Sequence, residues 1–121
     1  MSKLILIIDD SESIRELVSL TLESYGYLVQ KGVDGEDALS FFDGREIHLV
    51  ITDLNMPKID GIDLIKQIRK KEGYSTVPIL MLTTESQPQK KQEAKLAGAT
   101  GWIVKPFVEE KLLEIVKKVI R

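Results

Sequence analysis

Cysteine does not occur in these 121 residues. Its absence removes disulfides, thiolate nucleophiles and Cys-ligated zinc together, and it sits most easily with a reducing cytoplasm. Long apolar runs are missing too. The longest is Leu4 to Ile8, far short of a bilayer span, and the N-terminus lacks the extended apolar region of a secretory signal. These absences predict a soluble, cytoplasmic protein without membrane insertion. Charge of one sign is also scarce. Lys and Arg number 17 against 19 Asp and Glu, a net charge of -2, so no bulk field draws the chain to nucleic acid or to an anionic membrane surface. No linker or low-complexity stretch interrupts the sequence, and its length suits one domain spanning residues 1–121.

What is present begins with the run LILIIDDS. Five consecutive apolar residues read as a strand buried on both faces, because a half-exposed strand would alternate. That strand runs directly into Asp9 and Asp10, where like charges repel and each carboxylate loses hydration. The pattern recurs at HLVITD, residues 48 to 53, another apolar strand ending on Asp53. Between them, Ile14, Leu17, Val18, Leu22 and Tyr25 recur at helical spacing, with Ser11 or Ser13 as candidate N-caps and Ser13 with Glu16 matching a capping box. A short extended segment, YLVQKG, precedes a compact helix that turns Ala38, Leu39 and Phe42 inward.

Beyond Asp53, Leu64, Ile65 and Ile68 mark a third helix. VPILMLTTES is a fourth strand ending in the hydroxyls of Thr83 and Thr84, and KKQEAKLAG is a fourth helix with a thin apolar face of Ala94 and Ala97. GWIVK is a fifth strand closing on Lys105, and Leu112, Leu113, Val116, Val119 and Ile120 line a final helix. Five strands alternating with five helices predict an α/β fold, doubly wound around a parallel sheet. In that architecture Asp9, Asp10, Asp53, Thr83, Thr84 and Lys105 all follow the carboxyl ends of strands, the edge at which open α/β sheets bind ligands.

Each of these residues also has a plainer reading. Asp9-Asp10 fits a helix N-cap with a solvated neighbour, Asp53 a turn, the threonines strand-end hydroxyls and Lys105 a surface cation. Four strand ends placing complementary polar groups on one rim is a stronger pattern than any one of them. Carboxylates about 5 Å apart repel by roughly 3 kcal/mol at an effective dielectric near 20, so a cation must compensate. A hard divalent ion, magnesium (Mg2+) above all, suits an all-oxygen site and leaves room for a phosphate oxygen. A carboxylate facing such a cation and a lysine is a plausible nucleophile toward phosphorus. His48 has no second ligand at metal-binding spacing and reads as structural or exposed.

The runs IIDDS, ITDLNMPKIDG, LMLTTES and GWIVKPF together resemble the two-component response-regulator receiver domain, most of all its stand-alone CheY-like type, and the resemblance covers essentially the whole chain. It implies a flavodoxin-like sheet of order 2-1-3-4-5. It further implies that Asp53 is the phosphoacceptor, and that Asp9, Asp10, Asp53 and the backbone carbonyl of Asn55 hold Mg2+. Lys105 would contact the phosphoryl group, with a cis Lys105-Pro106 peptide, and Thr83 would turn toward it. Trp102 stands at the switch aromatic, while Asn55 and Glu85 tune self-dephosphorylation.

The partners implied are a sensor histidine kinase or phosphotransfer protein upstream and a target protein, in chemotaxis or elsewhere, at the face formed by the fourth helix, fifth strand and fifth helix. No direct nucleic-acid contact is expected, and the state is monomeric or a phosphorylation-dependent dimer. The chain closes soon after the last helix, so a stand-alone switch without an output region is the expectation, with a domain excised from a larger regulator or hybrid kinase as the alternative. A haloacid-dehalogenase-like phosphohydrolase wants a second aspartate two residues after the nucleophile, where this chain has Asn55. A flavodoxin-like FMN module wants phosphate donors where Asp9 and Asp10 stand.

Overall fold

Strands buried on both faces need helices on both sides, and the chain supplies them in strict alternation. The computed structural model describes residues 2–121 as β1 (Leu4–Ile8), α1 (Glu12–Glu23), β2 (Leu28–Gly32), α2 (Gly35–Leu39), β3 (Leu49–Thr52), α3 (Gly61–Lys70), β4 (Ile79–Thr83), α4 (Pro88–Ala97), β5 (Gly101–Val104) and α5 (Glu109–Val119). All strands pair in parallel, in the order β2-β1-β3-β4-β5. The three most apolar strands occupy the centre. Successive side chains of β1 serve opposite layers: Ile5 and Ile7 pack with Val18, Leu22, Leu112 and Val116 from α1 and α5, whereas Leu6 and Ile8 pack with Ala38, Leu64, Ile65 and Ile68 from α2 and α3. Each fully buried side chain of this kind is worth roughly 1.5–3 kcal/mol against exposure.

Register decides where the polar strand ends fall. Ile8 lies opposite Gly32 on one side and Thr52 on the other, and Thr83 lies opposite Val104. The residues that follow β1, β3 and β5 therefore share one rim. Caps fix the entry of the following helices: Ser11 accepts from the Ile14 N–H, and Asp60 from the Asp63 N–H. Of the two candidate caps for α1 it is Ser11 that serves, and Ser13 is exposed.

Two apolar assignments need correction. Leu17 and Tyr25 are each 52% exposed. Leu17 sits one position, about 100° of helix rotation, from the buried Val18, and Tyr25 lies past the end of α1, where its ring meets the Lys117 ammonium. His48 is structural, as expected. Its Nδ1 accepts from the Leu4 N–H at 2.9 Å and its Nε2 faces Glu46 at 3.1 Å.

α4 is the weakly anchored element. Ala94 is its one fully buried residue, with Ala97 half-buried, so apolar burial alone holds it poorly. Arg69 on α3 compensates by donating to the carbonyls of Tyr74 at 3.2 Å, Val77 at 2.6 Å and Gly98 at 2.7 Å, the last being the C-cap of α4. Gly98 is left-handed at φ 116°, and a Cβ there would press on the Arg69 side chain. Among the described residues no helix is long and apolar enough to cross a membrane.

Candidate functional site

At the end of β1 the Asp9 N–H continues the sheet by donating to the Gly32 carbonyl. The Asp9 carboxylate turns inward, is almost fully buried and accepts from the Ser11 N–H at 2.9 Å, while Asp10 is exposed. At the end of β3 the Asp53 N–H donates to the Ile8 carbonyl, and Asp53 Oδ1 accepts from the Leu54 N–H at 2.7 Å. Gly61 opens α3 directly against this segment. A side chain there would overlap the Asp53 carbonyl oxygen, so only the bare Cα lets the loop return so close.

The third strand end supplies the cation. The Lys105 N–H donates to the Thr83 carbonyl at 2.8 Å, and the peptide to Pro106 is cis. From there the Lys105 ammonium reaches Asp9 Oδ2 at 2.7 Å and Asp53 Oδ2 at 3.2 Å. Carboxylate oxygens of Asp9, Asp10 and Asp53 can all lie within 4.8 Å of one another. Three carboxylates against one ammonium leave the pocket strongly negative, and two effects compete in it. Burial pushes the Asp9 carboxyl above its ordinary value of 3.8, an effect that the hydrogen bonds from Lys105 and the Ser11 N–H only partly offset. Burial also acts to lower the lysine, but the Asp9 and Asp53 carboxylates outweigh it and hold Lys105 above its ordinary 10.5. The ammonium is therefore firmly charged, and the pocket still lacks positive charge.

That deficit, with hard oxygen donors on three sides, fits a divalent cation of the magnesium class. Thr83 is fully buried at the end of β4, and its Oγ1 accepts from the Glu85 N–H at 3.2 Å. Thr84 and Asn55 are exposed, and Glu85 is half-buried. Trp102 lies away from the carboxylates but is linked to their rim, because its indole N–H donates to the Glu85 carbonyl at 3.1 Å. Beside it a groove of about 250 Å³ runs between α4 and β5, lined by Lys91, Ala94, Lys95, Ala99, Thr100 and Trp102.

Two residues of the site escaped sequence reasoning. Gly61 carried a signal, standing directly after the N-cap Asp60 in the quoted motif. Arg15, whose Nη1 donates to the Asp9 carbonyl at 2.6 Å, carried none, since an arginine on an amphipathic helix reads as solvated.

Comparison with known proteins bears on the same residues. The family model described as response regulator receiver domain matches residues 5–117. The chain is 40% identical over 116 residues to chemotaxis protein CheY-3 of Vibrio cholerae, covering 95% of this chain and 89% of that protein. The structure of the chemotaxis response regulator CheY4 of Vibrio cholerae superposes with a TM-score of 0.94 at 45% identity, covering 98% and 99% of the two chains. The receiver domain of the sensor histidine kinase PA1611 from Pseudomonas aeruginosa, solved with a magnesium ion coordinated in its active site cleft, superposes with a TM-score of 0.90 at 25% identity over 98% of both. Other relatives are longer. The DNA-binding regulator RpaA of Synechocystis is 38% identical over 97% of this chain, which spans 48% of that protein.

Proposed function

The chain belongs to the response regulator receiver domain family, and from that membership we propose that it is a switch thrown by phosphorylation of Asp53. Receiver domains are signalling proteins of two-component systems and not enzymes of metabolism, and their acidic pocket binds Mg2+. One observation carries the assignment of the acceptor. Asp53 is 8% exposed, and its carboxylate is oriented by the Leu54 N–H, faces Lys105 at 3.2 Å and shares a pocket with Asp9 and Asp10.

In the proposed reaction an Asp53 carboxylate oxygen attacks the phosphorus of a phosphohistidine on a sensor histidine kinase or phosphotransfer protein. The new O–P bond forms as the P–N bond breaks, and the donor ring, protonated on its other nitrogen, takes the electron pair and departs as neutral imidazole. Asp9, Asp10, Asp53 and the Asn55 carbonyl would hold Mg2+, which supplies charge neutralisation for the transferring oxygens when bound. Lys105 neutralises a further oxygen from its fixed place beside Asp53. Thr83 exchanges the Glu85 N–H for the phosphoryl group, and Trp102, bonded to the Glu85 carbonyl, carries the change to the α4, β5 and α5 face. The groove with Lys91 and Lys95 suits an acidic segment of a target protein. Asn55 and Glu85 flank the approach of attacking water and set the decay of the phosphorylated state. The chemotaxis relatives favour a motility target; the longer DNA-binding relatives favour a transcriptional pathway.

Intact-mass measurement after incubation with phosphoramidate tests this reading. We expect one phosphoryl adduct that requires Mg2+, disappears in Asp53→Ala and decays more slowly or faster once Asn55 and Glu85 are exchanged. An adduct of unchanged yield in Asp53→Ala would overturn the assignment of the acceptor.

A further inference from the structure

The peptide unit between Asp9 and Asp10 joins two of the three acidic residues of the pocket. Its carbonyl accepts from Arg15 Nη1 at 2.6 Å, and among the described residues the Asp10 N–H has no partner. Every other hold on Asp9 acts elsewhere, through its N–H to Gly32 or through its carboxylate to Ser11 and Lys105. Asp10 is exposed and its carboxylate makes no hydrogen bond among the described residues, so the backbone alone aims it. The Asp9–Asp10 peptide is the covalent link through which the end of β1 carries Asp10, so a bond that anchors its carbonyl limits how far Asp10 can drift from Asp9. Arg15 anchors that carbonyl from a rigid element. It is half-buried on α1, and its own N–H is bonded to the Ser11 carbonyl at 3.0 Å.

Two effects of Arg15 on a bound cation have opposite signs. Its positive charge repels the cation, so losing the charge would tighten binding. Its hydrogen bond orders the donors, so losing the bond would weaken binding. Among the described residues Arg15 makes no ion pair with Asp9, Asp10 or Asp53, and its one side-chain bond in the site is the short one to the Asp9 carbonyl. The short bond to the carbonyl is thus the stronger tie. Outer groups that orient metal donors typically contribute 10- to 100-fold to affinity.

We propose that Arg15 is a positioning residue for the acidic pocket: its hydrogen bond to the Asp9 carbonyl fixes the Asp9–Asp10 peptide and holds the Asp10 carboxylate where it binds a divalent cation. The inference rests on the proposed Mg2+ site, and the two fail separately. Isothermal titration of the wild type with Mg2+, alongside Asp10→Asn, tests the site itself. No binding by the wild type, or equal binding by Asp10→Asn, overturns the site and the inference with it. With binding established, Arg15→Met is expected to weaken Mg2+ affinity roughly ten-fold while circular dichroism stays that of the wild type. Unchanged or tighter affinity in folded Arg15→Met overturns the proposal, because a purely structural or purely electrostatic arginine gives those results. Should Arg15→Met fold poorly, Arg15→Gln, whose shorter chain ends before the Asp9 carbonyl, decides by the same criterion.

Discussion

Asp9 and Asp43 are moved in opposite directions by their surroundings. Asp9 loses water at the rim of the sheet, and its carboxyl is pushed up. Asp43 sits in the open turn after α2, where the Arg45 side chain donates at 3.0 and 2.9 Å and the Arg45 N–H at 3.2 Å, and its carboxyl is pulled down to about 2. The consequences for stability oppose each other as well. A lowered carboxyl contributes stability that is complete above the unfolded value of 3.8 and is lost as pH falls toward about 2. A raised one, as at Asp9, subtracts stability as pH climbs from 3.8 through its folded value. Carbon-detected NMR of the side-chain carboxyls should therefore find Asp43 still ionised at pH 3, with its midpoint near 2. A midpoint at the ordinary aspartate value would remove the Arg45 bonds from solution.

At the scale of elements, α4 depends on one side chain of its neighbour α3. Burial lowers the Arg69 pKa, with help from the like charge of Arg121, yet a guanidinium remains charged under any physiological condition. Its three bonds go to backbone carbonyls and to no carboxylate, so nothing else replaces them if the guanidinium is lost. Arg69→Met keeps most of the apolar stem. It should lower stability in urea by about 2 kcal/mol, the usual penalty for stranding partly buried carbonyls. Hydrogen exchange should quicken at the Gly98 end of α4 before it quickens in β1 or β4. Exchange that rises evenly through the sheet would show that Arg69 supports the whole core and not this helix.

Over the whole molecule, the acidic pocket couples metal binding to folding. An unfolded chain cannot keep three carboxylates, two of them 44 and 43 residues from the third in sequence, within 4.8 Å of one another. Mg2+ at the proposed site would therefore bind the folded state alone, and at 100 times its dissociation constant it should add about 2.7 kcal/mol. Calorimetry should show the melting temperature rising by several degrees with Mg2+, returning on addition of a chelator, and hardly moving in Asp10→Asn. An equal rise in Asp10→Asn would assign the stabilisation to general salt effects.

The alternation of apolar runs with amphipathic stretches determined the strands, their helices and the doubly wound class, because strand and helix periodicities depend only on near neighbours. The strand-end carboxylates were legible only jointly, because complementary polar groups after four separate strands make a pattern that no one of them makes alone. Local pattern could not separate Ser11 from Ser13 as the cap of α1, or show that Leu17 faces water beside buried Val18. Nor could it reveal that Lys105 bonds an aspartate 96 positions away, or that Arg15 holds the Asp9 carbonyl. The Lys105 contact exists only once the sheet order and register bring the ends of β1, β3 and β5 to one rim, and the Arg15 bond only once α1 folds back against the end of β1. Tertiary structure decided them, since distances across a sheet are set by strand pairing and not by spacing along the chain.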